Sequence, residues 1–357
     1  MIVSCLASPF LAAKTGSKSP NILVLFADDQ GWADLGIQGV NQEIKTPQLD
    51  KLARDGALCT RGYVTAPQCQ PSRAGLNAGC YQQRFGVDNN TTGPMPLEVV
   101  TLPERLKKAG YVTGMVGKWH LDLHEGERDK PKGPDPLFGP WNQGYDEYFK
   151  GELGFVANYD LNGKDYEDPQ HPVSRDPNKF RVVVQTEAAL AFLDRRKKNT
   201  EQPWFLYVAW FAPHAPIESP EPWFSQTPAD LPLQRRQALA MIGAMDDGCE
   251  KIRNKLKEMG VEKDTLIFYI SDNGAPLKEK AWNGSSNLPC VGEKGMLTDG
   301  GVREPYIVTW PGTIPAGKIY DKPVSSLDVA ATAVALAGLP SDPGLDGANL
   351  IPFLAGT

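Results

Sequence analysis

An α/β fold, a mostly parallel central sheet with helices on both faces, is what this sequence predicts, and two observations predict it. Short β-branched or aromatic runs recur along the chain, each followed by a polar turn and then a helical pattern, the order produced when parallel strands are joined by crossover helices. The polar residues of chemical interest also fall directly after those runs, at Asp28-Asp29, Lys118-Trp119-His120, Pro213-His214 and Asp272-Asn273. Open α/β sheets gather their ligands beyond the carboxyl ends of the strands, so four distant segments would converge there. In chain order, the β-branched and aromatic runs place strands at Asn21 to Ala27, Val112 to Val116, Trp204 to Trp210, Thr265 to Ser271 and Tyr306 to Trp310. Helical periodicity places helices around Pro47 to Arg54, Leu102 to Ala109, Val183 to Lys197, Gln234 to Met259 and Asp328 to Ala337. The stretch 121–180, from Leu121 to Phe180, is rich in Pro, Gly, Asp and aromatic residues with weak periodicity. It reads as an irregular excursion over one edge of the sheet. No internal repeat or low-complexity segment is present.

Composition bounds the function. With 357 residues, 41% hydrophobic and 22% charged, the chain has the make-up of an ordinary globular protein able to bury a sizeable core. A formal net charge of -6 without any long basic tract argues against nucleic acid or an anionic membrane as partner. The densest basic run, Arg195-Arg196-Lys197-Lys198, reads as a solvated helix C-terminus, where it suits the dipole. No apolar stretch reaches the roughly 18 residues of a transmembrane helix. Ile2 to Ala13, ending in Leu11-Ala12-Ala13, resembles the back half of a secretory signal peptide, and Ile2-Val3-Ser4-Cys5 resembles a lipoprotein cleavage site. The expectation is an exported protein, periplasmic or extracellular, with a signal-peptide remnant at 1–18, a single large domain at 19–357 and an optional lipid anchor at Cys5. The six cysteines show no Cys-x-x-Cys pair and support no disulfide assignment. His124 and His171 lie in polar stretches and read as surface residues.

Acidic pairs at strand ends are most often turns or helix caps. Taken together, however, Asp28, Asp29, Asp272 and Asn273 supply three carboxylates and an amide oxygen, the hard-oxygen set that suits Ca²⁺ or Mg²⁺ and that Zn²⁺ does not favour. Adjacent acids repel one another and call for a cation. A second signal is Cys69-Gln70-Pro71-Ser72-Arg73. Pro71 fits a first helical turn, which places Cys69 at a helix N-terminus, where free amides and the dipole attract anions. A lone cysteine is usually a buried, inert packing residue, and the surrounding segment is what overturns that reading.

Cys69-x-Pro71-Ser72-Arg73, with Leu76 and Gly79, resembles the signature of the type I sulfatases, in the alkaline phosphatase superfamily. Further matches follow in order: Asn21-Ile22-Leu23 through Asp28-Asp29-Gln30-Gly31, Thr46-Pro47-x-Leu49-Asp50, Gly117-Lys118-Trp119-His120, Pro213-His214-x-Pro216, Ser271-Asp272-Asn273-Gly274, and Gly292-x-Lys294 through Gly300-Gly301-x-Arg303. The likeness runs from about Asn21 to the last residue. Ala78, Asp122, Cys290-Val291, Asp299 and Ala331 depart from the family's usual residues, none at a chemical position. Leu345-Asp346-Gly347-x-Asn349-Leu350 resembles the end of the family's large domain, so the smaller C-terminal domain is expected to be missing.

The resemblance implies a mixed, mostly parallel sheet and a sulfuric ester hydrolase. It implies that a maturation enzyme oxidises Cys69 to formylglycine, the nucleophile. One Ca²⁺, ahead of Mg²⁺, would be held by Asp28, Asp29, Asp272, Asn273 and the modified Cys69. Arg73 would polarise the nucleophile, and Lys118 and Lys294 would hold sulfate oxygens. His214 would bind sulfate and help protonate the leaving oxygen, and His120 would accept the proton whose loss expels sulfate. The substrate class expected by analogy is a sulfated carbohydrate, with Trp141, Tyr145, Tyr159 and Arg175 of the excursion as candidate sugar contacts. The alternatives are a phosphonate monoester or phosphodiester hydrolase of the same superfamily, and a non-catalytic metal- or anion-binding homologue.

Overall fold

The computed structural model describes residues 18–124, 133–152, 155–161 and 179–356. Cys5 and the leader-like segment, His171 and Arg175 lie outside the described residues, as do the side chains of His124 and Tyr159.

The main sheet contains β1 (Asn21–Asp28), β2 (Ala57–Cys59), β3 (Val112–Lys118), β4 (Glu147–Glu152), β5 (Phe155–Leu161), β6 (Trp204–Pro213), β7 (Thr265–Ser271), β8 (Tyr306–Thr309) and β9 (Lys318–Tyr320). Their spatial order is β9-β2-β8-β7-β1-β6-β3-β4-β5. The central block β7-β1-β6-β3-β4 is parallel throughout, while β8 runs antiparallel to β7 and to β2, and β5 antiparallel to β4. The sheet is therefore mixed and mostly parallel.

Each expected strand and helix is present near its predicted bounds. β1 shows why the fold forms. All eight of its residues are buried, and its side chains alternate between two cores, as the two-residue period of a strand requires. Ile22, Val24 and Phe26 pack with α2 (Cys69–Ala78), α3 (Leu102–Lys107) and α6 (Asp328–Leu336). Leu23, Leu25 and Ala27 pack with α1 (Pro47–Arg54), α4 (Arg181–Arg196) and α5 (Leu233–Glu258). Local signals start the helices: Pro47 opens α1, and a Thr101–Glu104 capping box opens α3, with Glu104 Oε2 accepting the Thr101 N–H at 2.7 Å. Because the central strands are parallel, Asp28, Lys118, Pro213 and Ser271 finish at one end of the sheet.

Two expectations change. Within 121–180, residues 147–152 and 155–161 are strands that extend the sheet beyond β3, where weak periodicity suggested only irregular chain. The basic run at the C-terminus of α4 is only partly solvated: Lys197 and Lys198 are exposed, but the two arginines are engaged. Arg195 Nη2 and Arg196 Nη2 each lie 2.7 Å from Glu147, which is buried at the start of β4, so the two guanidinium groups fasten α4 to the sheet edge.

Candidate active site

The site grows from the strand ends. Asp28 closes β1, and Asp29 turns out of the sheet with φ 60°, left-handed backbone that L residues seldom adopt. His120, two residues beyond β3, is the second described non-glycine residue with positive φ, also 60°. After β7, Asp272, Asn273 and Gly274 form a tight turn. A Cβ on Gly274 would stand 1.9 Å from the Gly300 carbonyl oxygen, so only glycine fits there.

α2 brings the cysteine and an arginine. Cys69 is its first residue, all ten of its residues are buried, and it ends on Gly79 in the left-handed conformation. Arg73 is one helical turn after Cys69, so both side chains share a face. The Cys69 Sγ lies 3.6 Å from Asp28 Oδ1, 3.9 Å from Asp29 Oδ1 and 3.2 Å from Lys294 Nζ. Arg73 donates to Asp272 Oδ2 from Nη2 at 2.6 Å and Nε at 3.1 Å, with its guanidinium 5.3 Å over the Phe26 ring. Lys118 Nζ reaches Asp28 Oδ2 at 2.7 Å. Lys294 Nζ reaches both Asp29 oxygens, at 2.6 and 2.8 Å. His214 holds its Nδ1 2.6 Å from the Ala215 carbonyl oxygen and turns Nε2 to within 3.6 Å of Asp29 Oδ2.

Every sequence-predicted chemical residue except His120 contacts another member of this group. His120 is buried close by, and its Nδ1 has no hydrogen-bond partner. Of the expected sugar contacts, Tyr145 is instead a core residue, its hydroxyl donating to Asn77 Oδ1 at 2.8 Å. Trp141 is half-buried against Tyr148, ring centroids 4.7 Å apart.

Burial and charge set the protonation states. Burial alone would raise the Asp28 carboxyl, but Lys118, His214, Arg73 and Lys294 outweigh it and hold it well below the ordinary range. For Asp272, burial and the neighbouring Asp28 prevail over Arg73, lifting it to about 6. Burial pushes the Cys69 thiol up to about 12 despite Lys118 and Lys294, so an unmodified thiol is no nucleophile at neutral pH. Burial, followed by Lys118 and Arg73, drives His120 well below its ordinary value and leaves a neutral imidazole able to accept a proton.

Could these residues hold a metal? Ligand atoms of Asp28, Asp29, Cys69 and His214 all lie within 4.8 Å of one another. Asn273 donates through Nδ2 to Asp29 Oδ1 at 2.6 Å, and its own Oδ1 is buried without a partner. Buried amide oxygens rarely go unpaired. An oxygen-seeking cation beside the carboxylates would satisfy it, so the donor set fits a hard divalent ion. Asp272 is turned toward Arg73 in this arrangement.

Two supporting residues were not singled out from sequence. Tyr207 on β6 accepts from Arg73 Nη1 at 3.4 Å, hidden in sequence as one aromatic of a buried strand. Asn283 donates to the backbone carbonyls of Asp29 and Pro213. Its only signal is membership of the polar stretch Asn283-Gly284-Ser285-Ser286-Asn287 between Asn273 and Lys294.

Comparison with known proteins agrees with this architecture. The sulfatase family model matches residues 20–339. N-acetylgalactosamine-6-sulfatase of Canis lupus familiaris is 34% identical over 380 aligned positions, covering 98% of this chain and 69% of that protein. An arylsulfatase of Hemicentrotus pulcherrimus is 33% identical, covering 93% of this chain and 61% of its own length. Among solved structures, Ps i-CgsB superposes with a TM-score of 0.82 at 30% identity, covering 95% of this chain and 77% of that one. The same protein has been solved with k-i-k-neocarrahexaose bound.

Proposed function

The chain belongs to the sulfatase family and is a sulfuric ester hydrolase, and from that premise we propose that it removes sulfate from a sulfated carbohydrate, using one bound Ca²⁺ and a formylglycine made from Cys69. The observation that carries the reading is the position of Cys69: first residue of a buried helix, with Asp28, Asp29 and Lys294 within 3.9 Å of its sulfur. Charge supports it. Asp28, Asp29 and Asp272 are balanced by Arg73, Lys118 and Lys294, so a divalent cation leaves two positive charges for an anionic ester to meet. Relatives named for sulfated sugars, and the oligosaccharide complex of a structural neighbour, support the carbohydrate assignment. The residues at Ile2 to Ala13 support export by a signal peptide.

In this reading Asp28, Asp29, Asp272 and Asn273 would hold the ion, which would supply Lewis-acid chemistry and a template for the sulfate oxygens. A hydrated formylglycine at position 69 supplies one hydroxyl to attack sulfur and a second whose deprotonation restores the aldehyde and frees sulfate. Lys118 and Lys294, which reach Asp28 and Asp29 beside Cys69, would meet the sulfate oxygens as compact positive charges. His214, half-buried beside Asp29, gives a proton to the departing sugar oxygen. His120, neutral and with a free buried nitrogen, takes the proton from the second hydroxyl.

The test is peptide mass spectrometry at position 69 after co-expression with a maturation enzyme, paired with rates on sulfated oligosaccharides, an aryl sulfate, an aryl phosphodiester and a phosphonate monoester. An aldehyde with sulfate release fastest on the oligosaccharides is expected. Faster phosphonate turnover would favour that alternative, in keeping with a phosphonate monoester hydrolase among the structural neighbours at TM-score 0.66. A persistent thiol with no turnover would make the chain a binding homologue.

A further inference from the structure

The turn that carries Asp29 is held almost entirely by side chains. Its N–H donates to Asp272 Oδ1 at 3.0 Å, that of Gln30 to Ser271 Oγ at 3.1 Å, and that of Gly31 to Ser285 Oγ at 2.9 Å. The Asp29 carbonyl goes to Asn283, whose Nδ2 donates to it at 3.0 Å and to the Pro213 carbonyl at 3.3 Å. An amide nitrogen has two hydrogens, so one buried side chain closes on both carbonyls. Its own Oδ1 accepts the Ser285 N–H at 3.0 Å, leaving nothing unsatisfied.

The location of this bridge gives it meaning. Phe26 pairs with Ala209, but Asp28 pairs with Pro213. Two steps along β1 therefore match four along β6, and the regular ladder stops setting the spacing of the strand ends at the point where Asp29 and His214 emerge. Asn283 joins those ends directly. Its loop is anchored in turn: Arg235 Nη1 lies 2.9 Å from Asp34 Oδ1 and 3.0 Å from the Gly284 carbonyl oxygen, and the Ser286 N–H donates to Asp34 Oδ2 at 2.9 Å.

We propose that Asn283 is a positioning residue, a two-carbonyl bridge that sets Asp29 and His214 in register with each other across the break in the β1–β6 ladder. The inference rests on the reading that Asp29 serves the metal and His214 the leaving group. It predicts that losing the bridge loosens both functions together while substrate contacts stay intact.

The experiment compares the parent with Asn283→Ala, which removes both donors, and Asn283→Ser, which keeps one. Calcium affinity, read from the calcium-dependent rise in melting temperature, is measured beside kcat and KM on a sulfated oligosaccharide. For Asn283→Ala, kcat per folded molecule should fall about 10–100-fold, with KM changed by less than about threefold and calcium affinity weakened about tenfold; Asn283→Ser should lie between. Unchanged kcat and calcium affinity per folded molecule, with only the melting temperature lowered, would overturn the proposal, because a purely structural amide behaves that way. Failure of both variants to fold in the cold would equally make the amide structural. A parent that binds calcium but releases no sulfate would sink the functional reading alone, since the calcium arm still decides the role of Asn283. A parent that does neither sinks both.

Discussion

Asp29 and His120 are the described non-glycine residues with left-handed backbone, and both stand where a parallel strand has just delivered its side chains to the site. Such a conformation costs on the order of 1 kcal/mol and persists only when its surroundings overdetermine it. At His120 the surroundings are visible: the indole of the preceding Trp119 donates to the Phe138 carbonyl at 2.9 Å, and the Leu121 carbonyl accepts the Met95 N–H at 2.9 Å. Since Ala retains the strain and Gly removes it, His120→Gly should be more stable than His120→Ala by about 1 kcal/mol, with turnover lost in both. Equal melting temperatures would show that the turn is unstrained. Cys69→Ala should lower turnover at least about 100-fold while preserving the calcium-induced rise in melting temperature; an active variant removes Cys69 from the chemistry. Residue types were legible at this scale, because acids, Lys and His after apolar runs name themselves. Their backbone conformations were not, since nothing in Lys118-Trp119-His120 marks a positive φ. Asn283 was illegible for a related reason: its two acceptors are backbone carbonyls, which any sequence supplies.

At the scale of elements, α1 is capped from a distance. Thr46 makes no side-chain cap, and the first-turn amides of Gln48 and Leu49 donate instead to Asp246 Oδ1 of α5, at 3.0 and 2.7 Å. A helix N-terminus welcomes the negative charge, but burial outweighs it and lifts the carboxyl from 3.8 to about 7. Between those values the folded chain keeps a proton that the unfolded chain has lost. This group therefore stabilises the fold most below about pH 4, and its contribution is lost as pH rises through about 7. Asp246→Asn keeps the accepting oxygen without the charge. It should match the parent only below about pH 4, melt higher than the parent at pH 8, and flatten the dependence between them. A variant destabilised more at pH 8 than at pH 5 would mean that the charged cap is the favourable form. Elements with strong local signals, such as the apolar run of β1 or the Pro47 start of α1, were readable from sequence. β4 and β5 were not, because Glu147-Tyr148-Phe149-Lys150-Gly151-Glu152 becomes a strand through pairing with β3 and through the Arg195–Glu147–Arg196 contact, both long-range.

For the whole molecule, the sheet's job is convergence: segments more than two hundred residues apart in sequence meet at one end of five parallel strands. Order along the chain made that meeting predictable, whereas the charge balance at the meeting point became visible only in three dimensions. Thorough chelation should lower both turnover and melting temperature, because an ion bound only by the folded chain stabilises it by mass action and its removal leaves Asn273 Oδ1 unpartnered. Unchanged melting and turnover in chelator would exclude the metal. The burial of α2 has one further consequence, and it concerns time. With every residue from Cys69 to Ala78 enclosed, no second enzyme can reach the sulfur of a finished molecule without pulling the helix out of the core. On the proposed reading, the oxidation would then have to precede folding, while the chain is still being made or threaded, and a molecule that folded first would keep its thiol. Native thiol protein exposed to the maturation enzyme should stay a thiol, whereas the same chain presented in denaturant-loosened form, or as a peptide spanning position 69, should be converted.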